Sequence, residues 1–260
     1  MSDPAARADS SATSVPAGRA TARRSSRRLL ATVPPALVVG FGSGLMFAAV
    51  SGAAEALENL WWDVLPDASG VSPERAWWIV LVLTLTGLAS GLVVAFVPGH
   101  AGPDPATEGL VATPLPVYVV PGLLLALILS LAGGVSLGPE NPIVATNVAL
   151  ACWLGLHLAR GRQDVPVERL LPGFTVLAVA GTIGALFGSP VAAALILSEV
   201  TAGQSTEPLW DRLFAPLVSA VAGAFTIHLV ATPAFSVDLP PYPGFEPFDL
   251  LTAMLVATAA

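Results

Sequence analysis

The sequence predicts an all-α, polytopic membrane protein, and three observations carry that reading. Hydrophobic residues fill 54% of the 260 positions and charged residues 11%, against about 25% charged in an ordinary soluble domain. Mean hydropathy is +0.75. Apolar runs also recur that are long enough, at about 1.5 Å rise per residue, to cross about 30 Å of hydrocarbon. The expected spans are Leu29 to Ala54, Ala76 to Pro98, Leu115 to Leu137, Pro142 to Leu158, Leu170 to Leu197 and Leu213 to Thr232.

The basic residues orient these spans. All eleven are arginines, and Arg7, Arg19, Arg23, Arg24, Arg27 and Arg28 precede the first apolar run. Basic residues near span ends stay on the cytoplasmic side, so the N-terminus is expected in the cytoplasm of a multi-pass protein of the inner (plasma) membrane. Residues 1–26, rich in Ser, Ala and Arg without apolar periodicity, read as a disordered basic arm. Trp61-Trp62 and Trp77-Trp78 stand beside span ends, as an interfacial aromatic belt does. Arg160, Arg162 and Arg169 put the connection between the fourth and fifth runs on the cytoplasmic side. The Pro-rich, acidic stretch from Pro233 to Pro247 reads as an external loop.

Gly and Pro divide the apolar runs in a repeated way. Asp104-Pro105, Asn141-Pro142 and Ser189-Pro190 each follow a glycine-bearing turn. Asp, Asn and Ser accept hydrogen bonds from the free N–H groups of a first helical turn, and Pro at the first helical position has no donor to leave unpaired. Helices are therefore expected to begin near residues 105, 142 and 190. Such breaks at membrane depth are tolerated where protein buries them or where they line a watery cavity. A helix start carries about half a positive charge and several free N–H donors, so starts that converge can hold an anion without Lys or Arg.

Beside the middle break stands Glu140, a carboxylate between two apolar runs. Ionisable residues at membrane depth are costly to desolvate and line ion or proton routes. Enzymatic chemistry has no comparable signal: there is no HExxH, phosphate loop or dinucleotide fingerprint, and Ser43 lacks both a full nucleophile motif and a linked histidine. His100, His157 and His228 have no metal-ligand spacing, and the lone Cys152 reads as a small packed hydrophobe. No cofactor, metal or nucleic-acid partner is expected.

At these residues the chain resembles the CLC family of chloride channels and proton-coupled anion transporters. Gly138-Pro139-Glu140-Asn141-Pro142 is similar to that family's Gly-Lys/Arg-Glu-Gly-Pro element, with Pro139 in place of the basic residue and Asn141 in place of a glycine. Phe187-Gly188-Ser189-Pro190, leading to Ser198-Glu199-Val200, resembles a later helix start of the same repeat. Gly99-His100-Ala101-Gly102-Pro103-Asp104 matches the Gly-Ser-Gly-Ile-Pro-Glu element more weakly. The combination looks particularly like the YfeO-like bacterial branch.

The resemblance implies the first half of a CLC-type inverted repeat with broken and re-entrant helices. It divides the chain into the arm 1–26, a transmembrane half-domain 27–232, and a linker with a truncated start of the second half, 233–260. It implies passage of chloride or another small anion through a path gated by Glu140. Gly138, Pro139, Asn141, Pro142, His100, Ala101, Gly102 and Pro103 would bind the anion. His100 would either donate to the anion or cap a rim loop, and Glu199 would either accept a proton or end a helix near the cytoplasm. Exchangers of the family carry an internal glutamate where Val200 stands, which points to a passive channel; a proton-coupled exchanger and a secondary transporter of a small organic anion are the alternatives. The lipid bilayer and, in the full-length parent, a second copy are the expected partners.

Overall fold

The computed structural model describes residues 16–99, 114–135, 138, 140–160, 167–200, 208–231, 248 and 252. They form helices α1 (Pro16–Asn59), α2 (Leu65–Ser69), α3 (Ala76–Phe96), α4 (Val120–Ala132), α5 (Glu140–Ala159), α6 (Val167–Phe187), α7 (Pro190–Val200) and α8 (Leu209–Val230), with no strand among the described residues. Among the described residues, five segments are long and apolar enough to cross a membrane: Leu29–Ser69, Ala76–Phe96, Glu140–Ala159, Leu170–Phe187 and Leu209–Val230.

Several boundaries differ from those expected, each for a physical reason. Helix α1 begins at Pro16, inside the segment read as a disordered arm, and Ala and Arg there are good helix formers. At its other end it runs into a π-helical turn, Leu60–Val64, and then α2. That turn carries the tryptophans into tertiary bonds: the Trp62 indole donates to the Ala132 carbonyl at 3.1 Å, and Trp78 donates to the Trp61 carbonyl at 3.2 Å. The run Leu115–Leu137 does not form one span. A 3₁₀ turn at Val117–Val119 leads into α4, whose 13 residues cover about 20 Å, short of a bilayer core. The run Leu170–Leu197 is likewise two helices, α6 and the 11-residue α7.

In lipid there is no hydrophobic drive for helices to associate, so close backbone packing through small residues has to supply it. Helices α1, α6 and α8 do this with interlocking glycines. A methyl group at Gly40 would overlap the Ser219 carbonyl, one at Gly184 the Ala220 carbonyl, and one at Gly223 the Gly181 carbonyl. Helix α5 buries a face running from Ile143 to Gly155, while α3 buries only Trp78, Val82, Thr86 and Val93 and turns its remaining surface outward.

One polar bond ties two core helices together. Asn147 of α5 donates through Nδ2 to Thr182 Oγ1 of α6 at 2.8 Å, and Thr182 in turn donates to the Ala178 carbonyl at 2.7 Å. Both residues are buried. Replacing Thr182 with valine is expected to destabilise the fold by about 0.6–1.7 kcal/mol, the measured span for interhelical bonds in membranes. Reversible unfolding in mixed micelles measures it.

Candidate functional site

The site is built around two helix starts, α5 and α7. Gly138 has φ of 79°, a left-handed conformation that a side chain would strain, and it turns the chain into α5. The helix begins at Glu140, two residues before the start at Pro142 expected from an Asn141 cap. Pro142 is thus the third helical residue rather than the first. It still lies among the first four positions, whose N–H groups have no partner within the helix, so its missing donor costs nothing. Asn141 lies exposed in the first turn instead of capping it.

Glu140 is half buried, and its side chain curls back over the turn that precedes it: a methyl group on Gly138 would overlap the carboxylate Oε2. A negative group over the positive end of a helix is favoured by about 0.3–1 kcal/mol. The carboxylate therefore occupies space that an anion drawn to the same N–H groups would also seek.

Helix α7 opens as its sequence predicts. Gly188 has φ of 60°, Ser189 Oγ accepts a hydrogen bond from the Val191 N–H at 3.3 Å, and Pro190 is the first helical residue. The two starts lie at one level of the bundle. Ile143, one turn into α5, shares a buried cluster with Ala185 and Leu186 at the end of α6, and α7 begins just beyond them. The preceding Gly133 packs on Thr86, the middle residue of α3, itself about 32 Å long. The chain leaving α4 thus turns opposite the middle of α3.

Of the other expected site residues, His100, Ala101, Gly102, Pro103 and Pro139, with the helix start near residue 105, lie outside the described residues. Glu199 is exposed at the penultimate position of α7. Two contributors were missed from sequence. His228 of α8 donates through Nε2 to the Gly188 carbonyl at 3.0 Å, bracing the α6–α7 break from a helix distant in sequence. Asn147 follows Glu140 by seven residues and Ile143 by four, on the same stripe of α5. It lines a small cavity of about 100 Å³ with Ser43. An isolated amide in an apolar run was the available signal for Asn147; no local signal marks His228. Substituting His228 with phenylalanine is expected to cost about 0.5–1.5 kcal/mol by leaving the Gly188 carbonyl without that donor, read as a lower thermal midpoint in detergent.

A family model described as voltage gated chloride channel matches residues 86–260. The chain belongs to this CLC family. It is 50% identical over 234 residues to proteins named "Putative ion-transport protein YfeO" from Escherichia coli O139:H28 (strain E24377A / ETEC) and Escherichia coli (strain SE11), and 49% identical to one from strain SMS-3-5. These alignments cover 90% of this chain and 54% of each relative, so the chain spans about half the length of the curated relatives it matches. Membership, together with the candidate spans, makes this a multi-pass membrane protein of that family. The match takes in both helix starts, Glu140 and the α6–α7 break.

Proposed function

We propose that the chain supplies one half of a path that carries chloride or another small anion across the plasma membrane, with Glu140 as its gate. The observation that carries this reading is the Glu140 carboxylate folded over the Gly138 turn at the start of α5, level with the start of α7. Ionised, the carboxylate holds the place of the anion at the helix pole. Protonated or displaced, it swings away and the free N–H groups take the anion instead. Gly138, Asn141 and Pro142 shape that pole, and the family resemblance assigns further anion contacts to Pro139 and to His100, Ala101, Gly102 and Pro103. The dipoles hold the anion weakly enough for it to leave.

The passive channel is the preferred mode because Val200 stands where the family's exchangers place a carboxylate. Proton-coupled exchange is the second reading, and Glu199 favours it: an acid in the last turn of a helix opposes the negative pole by about 0.3–1 kcal/mol, a cost that a proton-accepting role would explain. The working protein is a homodimer with a cytoplasmic N-terminus. Full-length protein in chloride-loaded liposomes tests these readings. Chloride efflux without linked proton movement supports the channel, linked movement supports the exchanger, and absence of halide flux with uptake of a small carboxylate supports the organic-anion transporter.

A further inference from the structure

An open-sided groove of about 480 Å³ lies between α1, α5 and α6, away from Glu140. Its lining is apolar. Ala31 and Pro35 of α1, Leu158 of α5, and Leu170 and Phe174 of α6 form its walls, and Gly155 lets the Phe174 ring lie directly against the α5 backbone. Its volume falls within the about 300–1,000 Å³ typical of small-molecule sites. All three walls belong to candidate membrane spans, so the groove runs along segments apolar enough to lie among acyl chains.

The same end of each wall carries arginine. Arg27 lies one turn before Ala31 and two before Pro35 on α1, at i, i+4 and i+8, and so shares their register; Arg28 follows it. Arg160 directly follows Ala159 at the end of α5 and is exposed. Arg169 directly precedes Leu170 on α6, with Glu168 beside it as the acidic residue of that turn. Neither of the other walls answers these charges: no acidic residue lies between Ser10 and Ala54, nor between Asn141 and Ala159. An apolar slot with a cationic mouth matches a molecule that has a hydrocarbon tail and an anionic head, and basic pockets between membrane helices hold such headgroups.

We propose that this groove is a binding site for an anionic phospholipid, with one acyl chain between Ala31, Leu158 and Phe174 and the phosphate at the end of the groove where the three helices carry Arg27, Arg28, Arg160 and Arg169 in their sequence. The site stands independently of the anion path, since it shares no residue with Glu140 or the helix starts.

Native mass spectrometry of the chain, released from micelles holding equal phosphatidylglycerol and phosphatidylcholine, tests it. Phosphatidylglycerol is expected to be retained in preference by at least about fivefold, the factor that one arginine near an anionic headgroup supplies. The double variant Arg160→Gln, Arg169→Gln should retain both lipids equally. Ala31→Trp, which fills the slot from an exposed position of α1 and leaves the core untouched, should retain neither. If a variant does not fold, the thermal midpoint of the unmodified chain decides: it should rise with added phosphatidylglycerol and stay unchanged with phosphatidylcholine. Equal retention of the two lipids by the unmodified chain, or an Ala31→Trp variant that still holds phosphatidylglycerol, would overturn the proposal. So would a dimer in the unmodified chain that Ala31→Trp dissociates while lipid retention stays the same, because the groove would then be covered by a second copy.

Discussion

Substituting Gly223 with valine is expected to prevent stable assembly of the helix bundle. The first carbon of the new side chain would overlap the Gly181 carbonyl, a backbone atom that no rotamer change can move. Overpacking a well-filled core costs about 1–3 kcal/mol and occasionally more, and this position belongs at the upper end because α1, α6 and α8 interlock there. Gly181 itself packs on Gly40 and Ser43, so pushing α8 away from α6 also disturbs α1. Gly40→Val and Gly184→Val should behave alike, since each meets a carbonyl of α8. Gly52→Val is the control: it lies on α1 with nothing close to its missing side chain. Circular dichroism during thermal unfolding in detergent should show the first three variants melting far below the native chain, with Gly52→Val close to it. Equal effects at all four positions would mean that glycine matters for flexibility rather than for close packing.

The second large effect is expected at Gly138. Valine there adds a side chain to a residue held at φ of 79° and drives it into the Glu140 carboxylate. The left-handed conformation costs about 1–3 kcal/mol for a residue other than glycine, and the collision removes the carboxylate from its place over the turn. In the full-length protein, Gly138→Val should therefore behave as if its gate were displaced, with anion flux that no longer falls as Glu140 ionises. The fold should survive, because Gly138 lies outside the glycine contacts that join α1, α6 and α8. Flux retaining the native pH response would detach the Gly138 turn from gating.

These two positions also show what the sequence could and could not convey. The α7 start was legible because its Gly-Ser-Pro order is local chemistry: a positive-φ residue, a cap and a proline with no N–H to bond. The same reasoning located the break before α5 but misplaced its start, since Pro142 tolerates any of the first four helical positions and so does not select one. Apolarity revealed membrane residence but not path length. Leu115–Leu137 is as apolar as a span, yet α4 ends at Ala132, where the Trp62 indole takes the carbonyl and two glycines turn the chain. The glycine interlock and the His228 bond to Gly188 are long-range matches between helices, and no window of one sequence contains both partners.

The most direct measurement of the central claim, that the Glu140 carboxylate stands in for an anion at the pole of α5, is chloride efflux from liposomes holding the full-length protein or its Glu140→Gln variant across a range of pH. Efflux through the unmodified protein should rise as pH falls, because protonation neutralises the carboxylate and frees the helix pole. Glutamine, neutral at every pH, should give high efflux that is flat with pH. Native and variant curves that coincide throughout would contradict the account.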